Sequence, residues 1–167
     1  MSRLSCGIAR VGGIGNLRPA PGTWGSAAAI PLGYMLHATL GFPGFAAVTL
    51  IVGLIGWWAV FVEVAADPTS DPSEIVIDEV IGQWIALLPA SYGFWSNGLD
   101  PWNFPYPGWV TAFLAFRLFD IWKPGPVGWA DRKHGATGIM LDDVIAGILA
   151  GLVVMLGAGL YHGILAR

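Results

Sequence analysis

The chain has 167 residues, of which 11% are charged, with a net charge of −3 and a mean hydropathy of +0.64. Soluble domains carry roughly 25% charged residues, so the composition points to a single integral membrane domain covering 1–167 and away from a nucleic-acid surface. The one cysteine, Cys6, excludes an intrachain disulfide framework and offers no metal-ligand spacing.

Residues 1–21, with Arg3, Arg10 and Arg18, lack a continuous apolar core and read as a non-spanning lead-in rather than a secretory signal. Gly12, Gly13 and Gly15 resemble a nucleotide loop only superficially, because Arg18 stands three after Gly15 and no strand precedes the run. The turn-rich stretch 19–26 places Thr23 or Ser26 where a helix cap is expected. The apolar run 27–40 contains Pro31 and Gly33 and fits either a broken, re-entrant helix or a full crossing. After a tight connection at 41–44, residues 45–66 supply the roughly 20 residues of a transmembrane helix.

A polar loop, 67–74, leads into a helix expected over 75–88. A Pro-, Gly- and aromatic-rich connector follows at 89–108, then a helix over 109–122, a basic loop at 123–137 and a final helix over 138–165. The expected fold is all-α: a compact helical bundle, integral to the membrane, with four to five apolar helices and its polar site at the cytoplasmic end. If 45–66 and the final helix cross, the lead-in and the loops 67–74 and 123–137 share one side. The positive-inside rule makes that side cytoplasmic, with Arg167 the exception and Arg117 embedded. Asp67, Asp71, Glu74, Asp78, Glu79, Asp120, Asp142 and Asp143 all converge near it.

Adjacent carboxylates at Asp78 and Glu79 interrupt an apolar run, where an uncompensated charge costs several kcal/mol by order of magnitude. On a helix Asp78 aligns with Gly82 and Ala86, and Glu79 with Gln83. Asp142 likewise aligns with Ala146 and Ala150, and Asp143 with Gly147 and Gly151, giving small-residue stripes along which helices approach closely. Either acid of this second pair can instead serve as a helix cap. Arg117 and Asp120 stand three apart as a local ion pair or a reach into the site. A donor set of carboxylates without thiols selects a hard cation, Mg²⁺ or Mn²⁺. His37 and His162 fall in apolar helices and carry no expected chemistry, whereas His134, beside Asp131, Arg132 and Lys133, reads as a proton donor or a solvated loop residue. Lys123, Arg132 and Lys133 add positive charge, and a cation plus basic side chains over carboxylates suits a phosphate.

Pro21-Gly22-Thr23-Trp24-Gly25-Ser26, Ile77-Asp78-Glu79 with Gly82, Phe116-Arg117 with Asp120 and Lys123-Pro124, Asp131-Arg132, and Met140-Leu141-Asp142-Asp143 with Ala146-Gly147 together resemble the phosphatidylglycerophosphatase A family. The resemblance implies an all-helical, magnesium-dependent phosphatase of the bacterial inner membrane that converts the phospholipid phosphatidylglycerophosphate to phosphatidylglycerol. On this reading we assign Asp78, Glu79, Asp142 and Asp143 as metal ligands or base, and Arg117, Lys123 and Arg132 as phosphate holders. Thr23 and Ser26 then line the entrance, and Asp120 orients Arg117. The cysteine-phosphatase loop is absent, since Gly12 rather than Arg stands six after Cys6; attack by water, or by Asp78 or Asp143 as nucleophile, both remain open. The rival readings are a small transporter or ion-coupling protein, whose acids would sit near mid-membrane, and a purely structural membrane subunit.

Overall fold

The computed structural model describes residues 3–70 and 72–161. The expectations placed on Asp71, His162 and Arg167 therefore lie outside the described residues. Among those residues the chain is all helix, with no strand: α1 (Arg3–Ala9), a 3₁₀ segment (Val11–Asn16), α2 (Pro21–Glu63), α3 (Ile77–Ser96), α4 (Gly108–Trp122), α5 (Pro126–Asp131) and α6 (Gly135–Leu160).

A straight helix of 43 residues would run about 65 Å, roughly twice the hydrocarbon thickness of a bilayer. α2 does not run straight. Gly41, at φ 64° and ψ −174°, breaks it in a backbone region that favours glycine. The chain folds back there, because a Cβ on Gly33, before the break, would lie 3.3 Å from the Phe45 ring after it. The run 27–40, which the sequence leaves undecided, is thus part of the first arm (21–40) of a helical hairpin, and 42–63 is the second. By length and composition α2 and α6 are the two helices able to cross a membrane among the described residues. Their outer faces expose Leu50, Leu54 and Phe61, and Leu152, Met155 and Leu156, an apolar surface suited to lipid rather than water.

α3 is the central helix, packed against α2, α4 and α6, and it buries Ile77, Val80, Ile81, Trp84 and Leu87. The Trp84 indole N–H donates to the Ala29 carbonyl at 2.8 Å, fastening α3 to the first arm of α2. α3 also continues past Pro89 to Ser96, whereas the sequence ends it at 88. The proline is accommodated by α6: a Cβ on Gly151 would sit 3.2 Å from Pro89 Cγ and 3.8 Å from the Ile85 carbonyl, the acceptor that the missing proline N–H leaves unbonded.

Thr23 and Ser26 are not caps. α2 begins at Pro21 after Ala20 with no side-chain cap, a position where proline loses no hydrogen bond. The lead-in contributes α1 and the 3₁₀ segment and packs under the bundle, with Ser5 Oγ donating to Glu63 at 2.7 Å and Val76 N–H donating to the Ala9 carbonyl at 3.0 Å.

Candidate active site

Two glycines bring the acids together. A Cβ on Gly82 of α3 would lie 2.6 Å from the Asp143 carbonyl oxygen and 2.5 Å from the Phe116 ring, and one on Gly147 of α6 would run into the Gly82 backbone. With α3 and α6 in backbone contact, Asp78 in the first turn of α3 and Asp143, two turns into α6, share one buried space with Glu79. Carboxylate oxygens of Asp78, Glu79 and Asp143 lie within 4.8 Å of one another. Asp78 is 9% and Asp143 3% exposed. The Asp78 carboxylate accepts the Glu79 N–H at 3.1 Å, while Glu79 Oε2 and Asp143 Oδ1 are buried without a hydrogen-bond partner. Gly22, at the start of α2, closes the third side: a Cβ there would lie 2.9 Å from Glu79 Cδ.

This donor set fits a divalent cation. Opposite oxygens around a hard ion with bonds of about 2.1 Å stand roughly 4.2 Å apart, close to the observed spread. Orphaned buried carboxylate oxygens, costly as they stand, are the groups such an ion would satisfy. The fit concerns three acids, and Asp142 is otherwise engaged: its Oδ2 accepts from Lys123 Nζ at 2.8 Å and its Oδ1 from Asp143 N–H at 3.0 Å.

Opposite the acids stands Arg117. Its Nη1 pairs with Asp120 at 2.5 Å and reaches Ser26 Oγ at 3.3 Å, and its Nη2 reaches Thr23 Oγ1 at 3.3 Å. The expected i,i+3 pair is present and only about 15% exposed on either side, so the guanidinium is held on three anchors from two helices. Ser26 is itself fully buried and donates to the Gly22 carbonyl at 2.9 Å; it braces Arg117 and does not line the cavity. Lys123, in the left-handed conformation that ends α4, bridges Asp131 and Asp142. Burial lowers its pKa, but the two carboxylates outweigh that and hold it above the usual lysine value.

A cavity of about 390 Å³ opens onto this group. It is lined by Asp78, Glu79, Asp143, Arg117, Lys123, Thr23, Lys133 and His134, together with Thr69, Ser70 and Ser73 of the loop between α2 and α3. That loop is fastened across the mouth by the Gly135 N–H donating to the Pro68 carbonyl at 2.8 Å and by Arg18 bound to Glu74 at 2.8 Å. Arg132 is exposed and stands outside the lining, whereas its neighbour Lys133 lines it with Nζ 4.2 Å above the Trp129 ring. The sequence reading names Arg132 of this basic loop as a phosphate holder; the short helix α5, which the sequence does not resolve, instead leaves Lys133 on the lining and Arg132 outside it.

The fold and the site define a membrane-associated helical protein in which a buried carboxylate cluster and a clamped guanidinium line one cavity. The phosphatidylglycerophosphatase A family model matches residues 7–158. The chain is 36% identical to phosphatidylglycerophosphatase A of Escherichia coli strain K12 over 149 residues, covering 87% of this chain and 79% of that protein. It is 38% identical to phosphatidylglycerophosphatase A of Haemophilus influenzae over 144 residues, covering 85% and 81%. A Bacteroides thetaiotaomicron protein provisionally named a phosphatidylinositol-3-phosphatase is 33% identical over 139 residues, covering 81% of each. No solved structure matches significantly. The chain belongs to the phosphatidylglycerophosphatase A family.

Proposed function

We propose that the protein hydrolyses the terminal phosphate monoester of phosphatidylglycerophosphate to phosphatidylglycerol and inorganic phosphate, at a cytoplasm-facing site in a bacterial inner membrane, with Mg²⁺ (or Mn²⁺) held by Asp78, Glu79 and Asp143. The observation that carries the reading is the buried carboxylate trio with its unpartnered oxygens, in a chain whose E. coli and H. influenzae relatives are named for this activity. A lipid substrate is supported by α4: Ile121 lines the cavity and is 71% exposed, beside exposed Leu118 and Trp122, so a headgroup in the cavity leaves its acyl chains along an apolar face. A transport reading fits less well, because the acids sit at one end of the bundle.

A bound divalent cation supplies neutralisation of the phosphoryl oxygens and a more acidic attacking water. Arg117 offers its remaining Nη2 N–H and its charge to the phosphate, and Thr23, Ser26 and Asp120 keep the guanidinium aimed. One carboxylate of the trio takes the proton of the water as its oxygen bonds phosphorus. The phosphorus–glycerol oxygen bond breaks, and His134 at the mouth returns a proton to the departing oxygen. Lys123 and Lys133 add positive charge at the entrance, with Asp142 holding Lys123 in place.

The test is phosphate release from phosphatidylglycerophosphate in mixed micelles. Release is expected to stop in EDTA and return with Mg²⁺. Undiminished turnover in chelator removes the cation from the reading, and no release under any metal condition overturns the substrate.

A further inference from the structure

Among the described residues, seven buried side-chain polar atoms lack a hydrogen-bond partner, and four of them form a series: Glu79 Oε2, Gln83 Nε2, Gln83 Oε1 and Arg117 Nε. The chemistry of the series alternates. Glu79 Oε2 is an acceptor and Arg117 Nε a donor, and the Gln83 amide carries one donor group and one acceptor that would match them. Gln83 is fully buried and lies one helical turn beyond Glu79 on the same face of α3, with Cβ atoms about 6 Å apart for that spacing. Its turn is fixed on both flanks, by Gly82 against Phe116, the neighbour of Arg117, and by Trp84 bonded to Ala29. Ser26, which Arg117 touches, lies on α2 between Gly22, which meets Glu79, and Ala29, which accepts from Trp84. A fully buried amide with both ends unpaired is costly, and simple packing would be served better by leucine or methionine.

We propose that Gln83 is a positioning residue whose amide links the Glu79 carboxylate to the Arg117 guanidinium, fixing both on the terminal phosphate. The inference rests on the phosphatase reading above. Hydrogen bonds at catalytic groups are commonly long before substrate engages and tighten with it. As the phosphate draws the free Nη2 N–H of Arg117, Nε closes on Gln83 Oε1, and Gln83 Nε2 closes on Glu79 Oε2, so the acid and the clamp are aligned together.

Gln83→Met keeps the length and volume of the side chain and removes both hydrogen-bonding ends. The purified variant is expected to melt at or above the wild-type temperature, since it loses two unpaired buried groups. Its kcat on phosphatidylglycerophosphate micelles is expected to fall roughly 10-fold to 100-fold, as for misplaced reacting groups, with KM within about twofold of wild type. Arg117→Lys, which has no Nε–H, provides the second measurement: in that background Gln83→Met is expected to lower kcat less than about threefold, the non-additivity of residues acting as a unit. A Gln83→Met protein with wild-type kcat overturns the proposal, as does a rise in KM alone or a full multiplicative loss in the Arg117→Lys background. If the Met variant melts lower, the Arg117→Lys cycle still decides, because a packing defect adds to the Lys change and a shared link does not. Wild-type turnover is the control: its absence refutes the phosphatase reading, whereas the proposal fails only when the wild type turns over and the variants do not follow this pattern.

Discussion

A Cβ on Gly147 would lie 2.3 Å from the Gly82 carbonyl oxygen, so α3 and α6 touch backbone to backbone at this pair of glycines. Asp78 lies four residues before Gly82 and Asp143 four before Gly147, so the contact sets the separation of the acids a turn away. Gly147→Ala is therefore expected to push α3 and α6 apart. The predicted cost is that of overpacking, about 1–3 kcal/mol, read as a lower melting temperature in detergent together with loss of phosphate release. A Gly147→Ala protein that melts and turns over as the wild type does would show that the contact is slack.

The neighbouring acids Asp142 and Asp143 are predicted to behave differently. Asp143 has an unpartnered oxygen in the trio, so Asp143→Asn removes charge from the proposed cation site; turnover is expected to fall by at least roughly 10²-fold, as for loss of a general base, with the melting temperature kept. Asp142 spends its carboxylate on Lys123 and the Asp143 N–H, so Asp142→Asn is expected to lower stability and to reduce turnover far less. Phosphate release and melting measured on both variants decide the matter, and equal kinetic losses would return Asp142 to the ligand set.

Much of this arrangement is local and hence legible in the sequence. The alignment of Asp78 with Gly82 and of Asp143 with Gly147 follows from helical periodicity alone, as does the Arg117–Asp120 pair. What escaped depends on partners distant in the chain. Pro89 stays within α3 because Gly151, over sixty residues on, leaves room for it. Asp142 is claimed by a lysine that also binds Asp131. Thr23 and Ser26 look like caps until Arg117 arrives from α4. Gly41 was legible as a tight connection, but the hairpin it makes of α2 follows from contacts across the break.

Lys123 yields a pH prediction. Its folded pKa is raised, so its pairing contributes stability that is complete below the ordinary lysine value of about 10.4 and is lost only as pH rises through the higher folded value. The stability lost in Lys123→Met is accordingly expected to be the same at pH 7 and pH 9. Thermal melts of both proteins at the two pH values check this; a difference that shrinks by pH 9 would mean that the lysine loses its proton early.

The last prediction concerns sidedness. The cavity, the loop between α2 and α3 and the start of α6 gather at one end of the bundle, where Arg18 meets Glu74 and Gly135 meets Pro68. α3 leaves that end and, at about 1.5 Å per residue, delivers its C-terminal residues 20 positions later, about 30 Å away and the thickness of a hydrocarbon core. In a Cys6→Ser background, Ser73→Cys at the exposed mouth and Asn97→Cys after the end of α3 should therefore report opposite faces. With intact cells, an impermeant maleimide is expected to label Asn97→Cys and to reach Ser73→Cys only after the membrane is opened, in keeping with a basic, cytoplasmic mouth. Labelling of Ser73→Cys in intact cells would place the phosphatase site on the outer face, and labelling of both would indicate that α3 does not separate the two faces.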